Sequence, residues 1–293
     1  MALSPSTAHQ TRVACLQFEP VVGEKQRNLD ASVRLIEAAA AEGALLIVLP
    51  ELCNSGYVFA TREEAFSLAE AVPAGPSCAA WIAVAQRLGV TLVAGIAERD
   101  GNALYNAAVV IGPDGYIGTF RKVHLWNAEN LFFEPGNLGF PVFNTPHGRI
   151  GVAICYDMWF PETFRIQALK GADIVCVPTN WVPIPGQAPG REAMATILAM
   201  AAAHSNSIFI ACADRVGTER GQLFEGQSVV VGCTGWPVAG PASRSAEEIV
   251  IADVDLGEAR RSRNWNAFNQ VLRDRRTDVY DEMLGSGQAP GWY

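Results

Sequence analysis

Three segments near the start of the chain narrow its fold more than any other feature. Arg12 to Phe18 and Ala44 to Leu49 are short apolar runs with no polar face, and Asn28 to Ala41 between them carries Leu29, Val33, Ile36 and Ala40 at helical spacing. Strand, helix and strand in that order imply a parallel pair joined by a right-handed crossover. A strand apolar along its whole length is buried on both faces, so helices must cover the sheet. The pattern returns later. Ile150 to Ile154 reads as a strand, a helix runs from Pro161 through Phe164, Ile166 and Leu169 to Gly171, and Asp173 to Pro178 is the next strand.

Between these halves lie strands at Val90 to Ala97, Leu104 to Ile111 and Tyr116 to Arg121, the last two joined by Gly112-Pro113-Asp114-Gly115, which has hairpin-turn chemistry. Parallel pairing there gives way to antiparallel. Val142 to Thr145, Ile208 to Ala213, Ser228 to Val231 and Glu248 to Val254 are further strands, and Glu63 to Ala69, Ser77 to Leu88 and the alanine-rich Arg191 to His204 are helices. The expectation is an α/β four-layer sandwich with mixed sheets. No separable linker or convincing internal repeat divides it, so residues 1–293 form a single domain. The tail, Gly257 to Tyr293, is rich in arginine and has no long apolar period, so it cannot build its own core and is expected to dock on a neighbouring subunit.

Bulk composition excludes several roles. Hydrophobic residues are 49% and charged residues 18%, against extended disorder, and a net charge of −8 without basic clusters disfavours nucleic acid and anionic membranes as partners. No apolar run approaches the roughly 20 residues of a bilayer span. Met1 to Gln10 lacks the basic and apolar regions of a signal peptide, which points to the cytoplasm. Seven cysteines, an odd number with no Cys-x-x-Cys pair, make a poor disulfide or zinc framework. Cys15, Cys176 and Cys212 lie within strands as core residues, and only Cys53 and Cys155 follow a strand closely enough to be exposed at its end.

Active groups in such sheets gather at strand carboxyl ends. Three candidates stand there: Glu51 after Ala44 to Leu49, Lys122 after Tyr116 to Arg121, and Cys155 after Ile150 to Ile154. Singly, each has an ordinary explanation as loop acid, surface charge or core thiol. Together they make a self-sufficient set. A thiol of ordinary pKa near ~8.5 needs a base or a cation to become a nucleophile. Glu51 can take the proton, Lys122 can stabilise the thiolate and a developing oxyanion, and the backbone N–H of Tyr156 can be the second donor.

The blocks Pro50-Glu51 with Asn54-x-Gly56-Tyr57, Arg121-Lys122-Val123-His124-Leu125, and Gly151-x-x-Ile154-Cys155-Tyr156-Asp157 with Phe160-Pro161-Glu162 resemble the three signature blocks of the nitrilase, or carbon-nitrogen hydrolase, superfamily. The resemblance spans roughly Arg12 to Val254 and extends to Pro178-Thr179-Asn180-Trp181 and Gly226-Gln227-Ser228. It implies an αββα sandwich pairing with a second subunit into αββα–αββα, with Glu51 as base, Lys122 as oxyanion stabiliser, Cys155 as nucleophile, and no metal or organic cofactor. It also implies a second glutamate after the lysine. Glu129 fits that position relative to Pro135-Gly136, with Glu134 as the rival.

By the same resemblance, Cys-Tyr-Asp followed by Phe-Pro-Glu favours hydrolysis of a small carboxamide through a thioester over a nitrile or an N-carbamoyl amide. An acyltransferase using the same thioester is the reading from another class. Tyr57, Trp126, Tyr156, Trp159, Asn180 and Trp181 are the candidate substrate-facing residues. So many aromatic groups suit a compact apolar acyl chain.

Overall fold

The computed structural model describes residues 10–188 and 191–280. Its strands are β1 (Gln10–Gln17), β2 (Leu46–Val48), β3 (Thr91–Asp100), β4 (Ala103–Gly112), β5 (Gly115–Arg121), β6 (Val142–Thr145), β7 (Gly148–Val152), β8 (Ile174–Pro178), β9 (Phe209–Ala213), β10 (Thr218–Glu219), β11 (Gln222–Leu223), β12 (Val229–Val231), β13 (Pro237–Ala239) and β14 (Glu248–Asp255). The main helices are α1 (Lys25–Ala41), α2 (Arg62–Leu68), α3 (Pro76–Leu88), α4 (Pro161–Leu169) and α5 (Met194–Asn206).

Two six-stranded sheets result, ordered β14-β1-β2-β3-β4-β5 and β13-β12-β9-β8-β7-β6. Each has a parallel centre, β1-β2-β3 or β7-β8-β9, and antiparallel strands outside it. Alternation along β1 separates two cores. Val13 and Cys15 join Val48, Val93 and Val110 against the second sheet, whereas Ala14 and Leu16 face Leu35, Ile36, Trp81 and Val84 of α1 and α3. Phe164 of α4 and Ala199 and Ala203 of α5 pack on the second sheet's side. The α/β sandwich of two mixed sheets flanked by helices is therefore as the sequence reading has it.

Differences from the reading are local. The alanine-rich helix begins at Met194 rather than Arg191, and the β10–β11 hairpin and β13 are additional. Cys53 is fully buried, its thiol donating to the Gly95 carbonyl at 3.3 Å, because the chain after β2 turns back over β3 instead of leaving the sheet. Part of the tail packs on its own body. Ala259 is buried, Leu272 lies against the core, and Arg260 makes a two-pronged bond to Asp173. Trp265 and Phe268 stay exposed, and the rest of the tail, 281–293, lies outside the described residues.

Candidate active site

Glu51 sits in the turn after β2, against β3. That approach depends on Gly95, since a Cβ there would stand 2.3 Å from the Pro50 carbonyl oxygen and 2.5 Å from the Glu51 Cα. Lys122 follows β5, its N–H donating to the Asn106 carbonyl of β4. Gly136 lets the next loop close over it, because a side chain at 136 would meet the Arg121 and Lys122 carbonyls. That loop is no open excursion. It forms a short helical turn, Asn127–Leu131, which carries Glu129 inward.

The three charged groups meet inside the protein. Lys122 is fully buried, Glu51 is 1% and Glu129 4% exposed. Lys122 Nζ donates to Glu51 Oε1 at 2.6 Å and to Glu129 Oε1 at 2.7 Å. Glu134, the rival acid, is an exposed partner of Arg62. Tyr57 belongs to this cluster: its hydroxyl donates to Glu129 Oε1 at 2.6 Å. Asn106 was not anticipated. Its Nδ2 donates to Glu51 Oε1 at 2.7 Å and reaches Glu129 Oε2 at 3.5 Å. The available signal was its place as a polar residue inside the apolar run of β4, where burial demands a partner.

Both donors to Glu51 take the same oxygen. Its Oε2 is buried and has no hydrogen-bond partner among the described residues. One carboxylate oxygen is thus fixed and the other is left to receive a proton. Burial pushes the Glu51 carboxyl up to about 7, with Lys122 opposing the shift and Glu129 adding to it. Burial alone would push the Lys122 ammonium down, but Glu129 and Glu51 outweigh it and hold the amine charged, well above its ordinary value. Tyr57 is raised by burial and by the neighbouring carboxylates, so it stays a neutral donor.

Cys155 does not sit directly on α4. β7 ends at Val152, and Cys155 opens a separate 3₁₀ turn, Cys155–Trp159, before Pro161 starts α4. Its φ of 44° is left-handed, an arrangement that costs about 1–2 kcal/mol for a residue with a Cβ and must be held by its surroundings. Burial keeps the thiol well above its ordinary pKa, as does the Glu51 charge; the Lys122 ammonium, the Thr179 hydroxyl and the Asn180 backbone draw it down. The Cys155 sulfur therefore rests as a thiol, within reach of the Glu51 and Lys122 charges.

A small pocket opens beside the sulfur. Trp126, Tyr156, Trp159 and Trp181 wall it with Val182 and Ile184, and Cys155 and Asn180 are its other members. Five of the six residues read as substrate-facing are therefore here, and Tyr57 is not. Among the described residues, no charged side chain lines the pocket. Among the described residues, no group of three or more His, Cys, Asp and Glu side chains is arranged to hold a metal ion.

A sequence profile of the carbon-nitrogen hydrolase family matches residues 12–264. The chain belongs to that family. It is 42% identical to a nitrilase of Pyrococcus abyssi over 92% of this chain and 98% of the relative, and 34% identical to an N-carbamoylputrescine amidase of Solanum lycopersicum over 93% and 94%. Among solved structures, a carbon-nitrogen hydrolase from Helicobacter pylori superposes with a TM-score of 0.84 at 30% identity, covering 95% of this chain and 99% of that one. An amidase of Nesterenkonia sp. AN1, with acrylamide added at its active-site cysteine, superposes with a TM-score of 0.75 at 26% identity, covering 93% and 99%. Family membership makes the chain a hydrolase of carbon-nitrogen bonds other than peptide bonds.

Proposed function

We propose that this hydrolase converts a small carboxamide to its carboxylic acid and ammonia through a thioester on Cys155. The observation that carries the reading is Glu51 Oε2, a buried acceptor without a partner on a carboxylate whose other oxygen is taken by Lys122 and Asn106. Glu51 Oε2 takes the thiol proton as sulfur attacks the amide carbon. The oxyanion that forms is met by Lys122 Nζ and the backbone N–H of Tyr156, donors worth ~3 to 4 kcal/mol each in a dry site. Glu51 returns the proton to the leaving nitrogen and ammonia departs. Water then gives Glu51 a proton as it attacks the thioester, and Cys155 leaves with that proton. Glu129 keeps Lys122 charged and in place.

An amide is favoured over a nitrile by a second orphan. Asn180 lines the pocket, its Nδ2 donates to the Glu51 carbonyl, and its buried Oδ1 has no partner among the described residues. An amide N–H can satisfy that acceptor, and a nitrile cannot. The uncharged aromatic wall suits a compact apolar acyl group. Seven free thiols fit a reducing compartment such as the cytoplasm, and among the described residues no helix is long and apolar enough to cross a membrane. Exposed Leu169, Met194 and Ile197 on α4 and α5 fit pairing with a second copy.

An ammonia-release screen over amides, nitriles and N-carbamoyl compounds, with intact-mass detection of the acyl-enzyme, tests the reading. Amides should turn over and leave an acyl adduct on Cys155. The Cys155→Ala variant should fold and release no ammonia. Turnover by that variant would overturn the mechanism, faster nitrile turnover would overturn the amide preference, and a new amide replacing free acid when an amine is added, or an ester when an alcohol is added, would indicate an acyltransferase.

A further inference from the structure

We infer that His124 and Asp157, neither of which touches the reacting atoms, are positioning residues that set the Cys155 sulfur against the Lys122 amine. Asp157 is the third residue of the 3₁₀ turn that Cys155 opens, and it is fully buried. Its two oxygens point to two different parts of the chain. Oδ2 accepts the N–H of Ile154 at 3.0 Å, the residue just before the nucleophile. Oδ1 accepts the N–H of His124 at 2.9 Å and lies 2.7 Å from the His124 ring Nδ1. A carboxylate oxygen only accepts, so Nδ1 carries the proton. One carboxylate thus ties the residue before Cys155 to the residue two beyond Lys122.

The imidazole is held as well. It lies flat on Phe160, with ring centroids 3.6 Å apart and 9° between planes, and Phe160 is the cap from which α4 starts. The bridge therefore runs from the Lys122 strand end to both ends of the turn that bears Cys155, through the Asp157 carboxylate to Ile154 and through the imidazole to Phe160. Something must hold that turn, because Cys155 has a left-handed backbone with a full side chain. No other side-chain bond connects the segment after Lys122 to this turn among the described residues, apart from the aromatic contact of Trp126 with Tyr156. A shift of about 1 Å between nucleophile and amine is enough to lose about 100-fold in rate.

The inference rests on the thioester mechanism above, so its test includes a readout that needs no substrate. Asp157→Asn, His124→Leu and His124→Asn are compared with the parent for amide kcat and KM, for the rate of Cys155 alkylation by iodoacetamide located by peptide mass, and for Tm. Cys155 is the most exposed of the seven thiols, at 7%. Asp157→Asn keeps the shape but turns one acceptor into a donor against an N–H. It should lower kcat about 100-fold with KM within about twofold, and slow alkylation in parallel. His124→Leu should lose about tenfold in both, and His124→Asn, whose side-chain N–H can replace Nδ1–H, should recover most of that. Parental kcat and alkylation in His124→Leu would overturn the assignment, as would losses that vanish when rates are expressed per folded molecule. If Asp157→Asn does not fold, the two His124 variants decide alone. Slowed alkylation with no amide turnover even in the parent would keep the positioning role and sink the substrate reading.

Discussion

Replacing Asn106 with leucine isolates how the base is tuned. The change removes the 2.7 Å hydrogen bond to Glu51 Oε1 and leaves the one from Lys122. The side chain keeps its branching and number of heavy atoms, and the backbone carbonyl that holds the Lys122 N–H is untouched. The lost bond favours the charged form of Glu51, so its loss raises a carboxyl that burial has already pushed up to about 7. A hydrogen bond to a charged group contributes about 1.5–3 kcal/mol, which is about one to two pKa units. Glu51 must be ionised to accept the thiol proton, so the acid limb of kcat/KM moves up by that amount. At pH 7 the ionised fraction falls from about half to between roughly a tenth and a hundredth, and activity falls about 5- to 50-fold. At about pH 9 to 10 most of it returns, because Lys122 is held charged well above that range by Glu129 and Glu51. The assay is ammonia release measured from about pH 5.5 to about pH 10 under kcat/KM conditions. An acid limb that stays in place, or moves to lower pH, would refute the assignment of Glu51 as the titrating base.

Other parts of the site make separate demands. Tyr57→Phe removes the 2.6 Å bond to Glu129 and should lower kcat about tenfold without changing the pH at which the acid limb falls. Gly95→Ala places a methyl group 2.3 Å from the Pro50 carbonyl, so denaturant unfolding should show a loss of about 1–3 kcal/mol together with loss of activity as the Glu51 turn is displaced. Phe164→Ala, at a fully buried position of α4, should lower stability by about 3–5 kcal/mol in the same assay while the folded fraction keeps its kcat.

The main elements were legible because their cause is local. Continuous burial from Val13 to Gln17 of β1 and along β8 and β9 follows from apolar runs that a chain of this composition cannot leave in water. The positions of Glu51, Lys122 and Cys155 just beyond β2, β5 and β7 were legible from chain order, although β7 belongs to the second sheet and the packing of the two sheets brings it to the other two. What was not legible depends on close approach between segments far apart in sequence. Cys53 was read as exposed from its distance beyond a strand, yet Gly95, 42 residues away, accepts its thiol proton because a missing Cβ lets the turn lie on β3. Tyr57 was read as substrate-facing from its aromatic type, but its partner Glu129 arrives on a turn 72 residues later.

The same argument explains why the base was incompletely described. A glutamate after a strand says that a carboxylate is available; it does not say which oxygen will be available. That choice is made by Lys122 and Asn106 both binding Oε1, one from the end of β5 and the other from within β4. Only the register of β4 against β5, in which Ala107 faces Arg121, brings those two donors to one oxygen. Protonation is likewise a matter of contacts between segments: burial alone would push the Lys122 ammonium down, and the buried pairing with Glu129 and Glu51 keeps it charged. In this fold the identity of the reacting groups is local information, while their protonation states are set by contacts between strands.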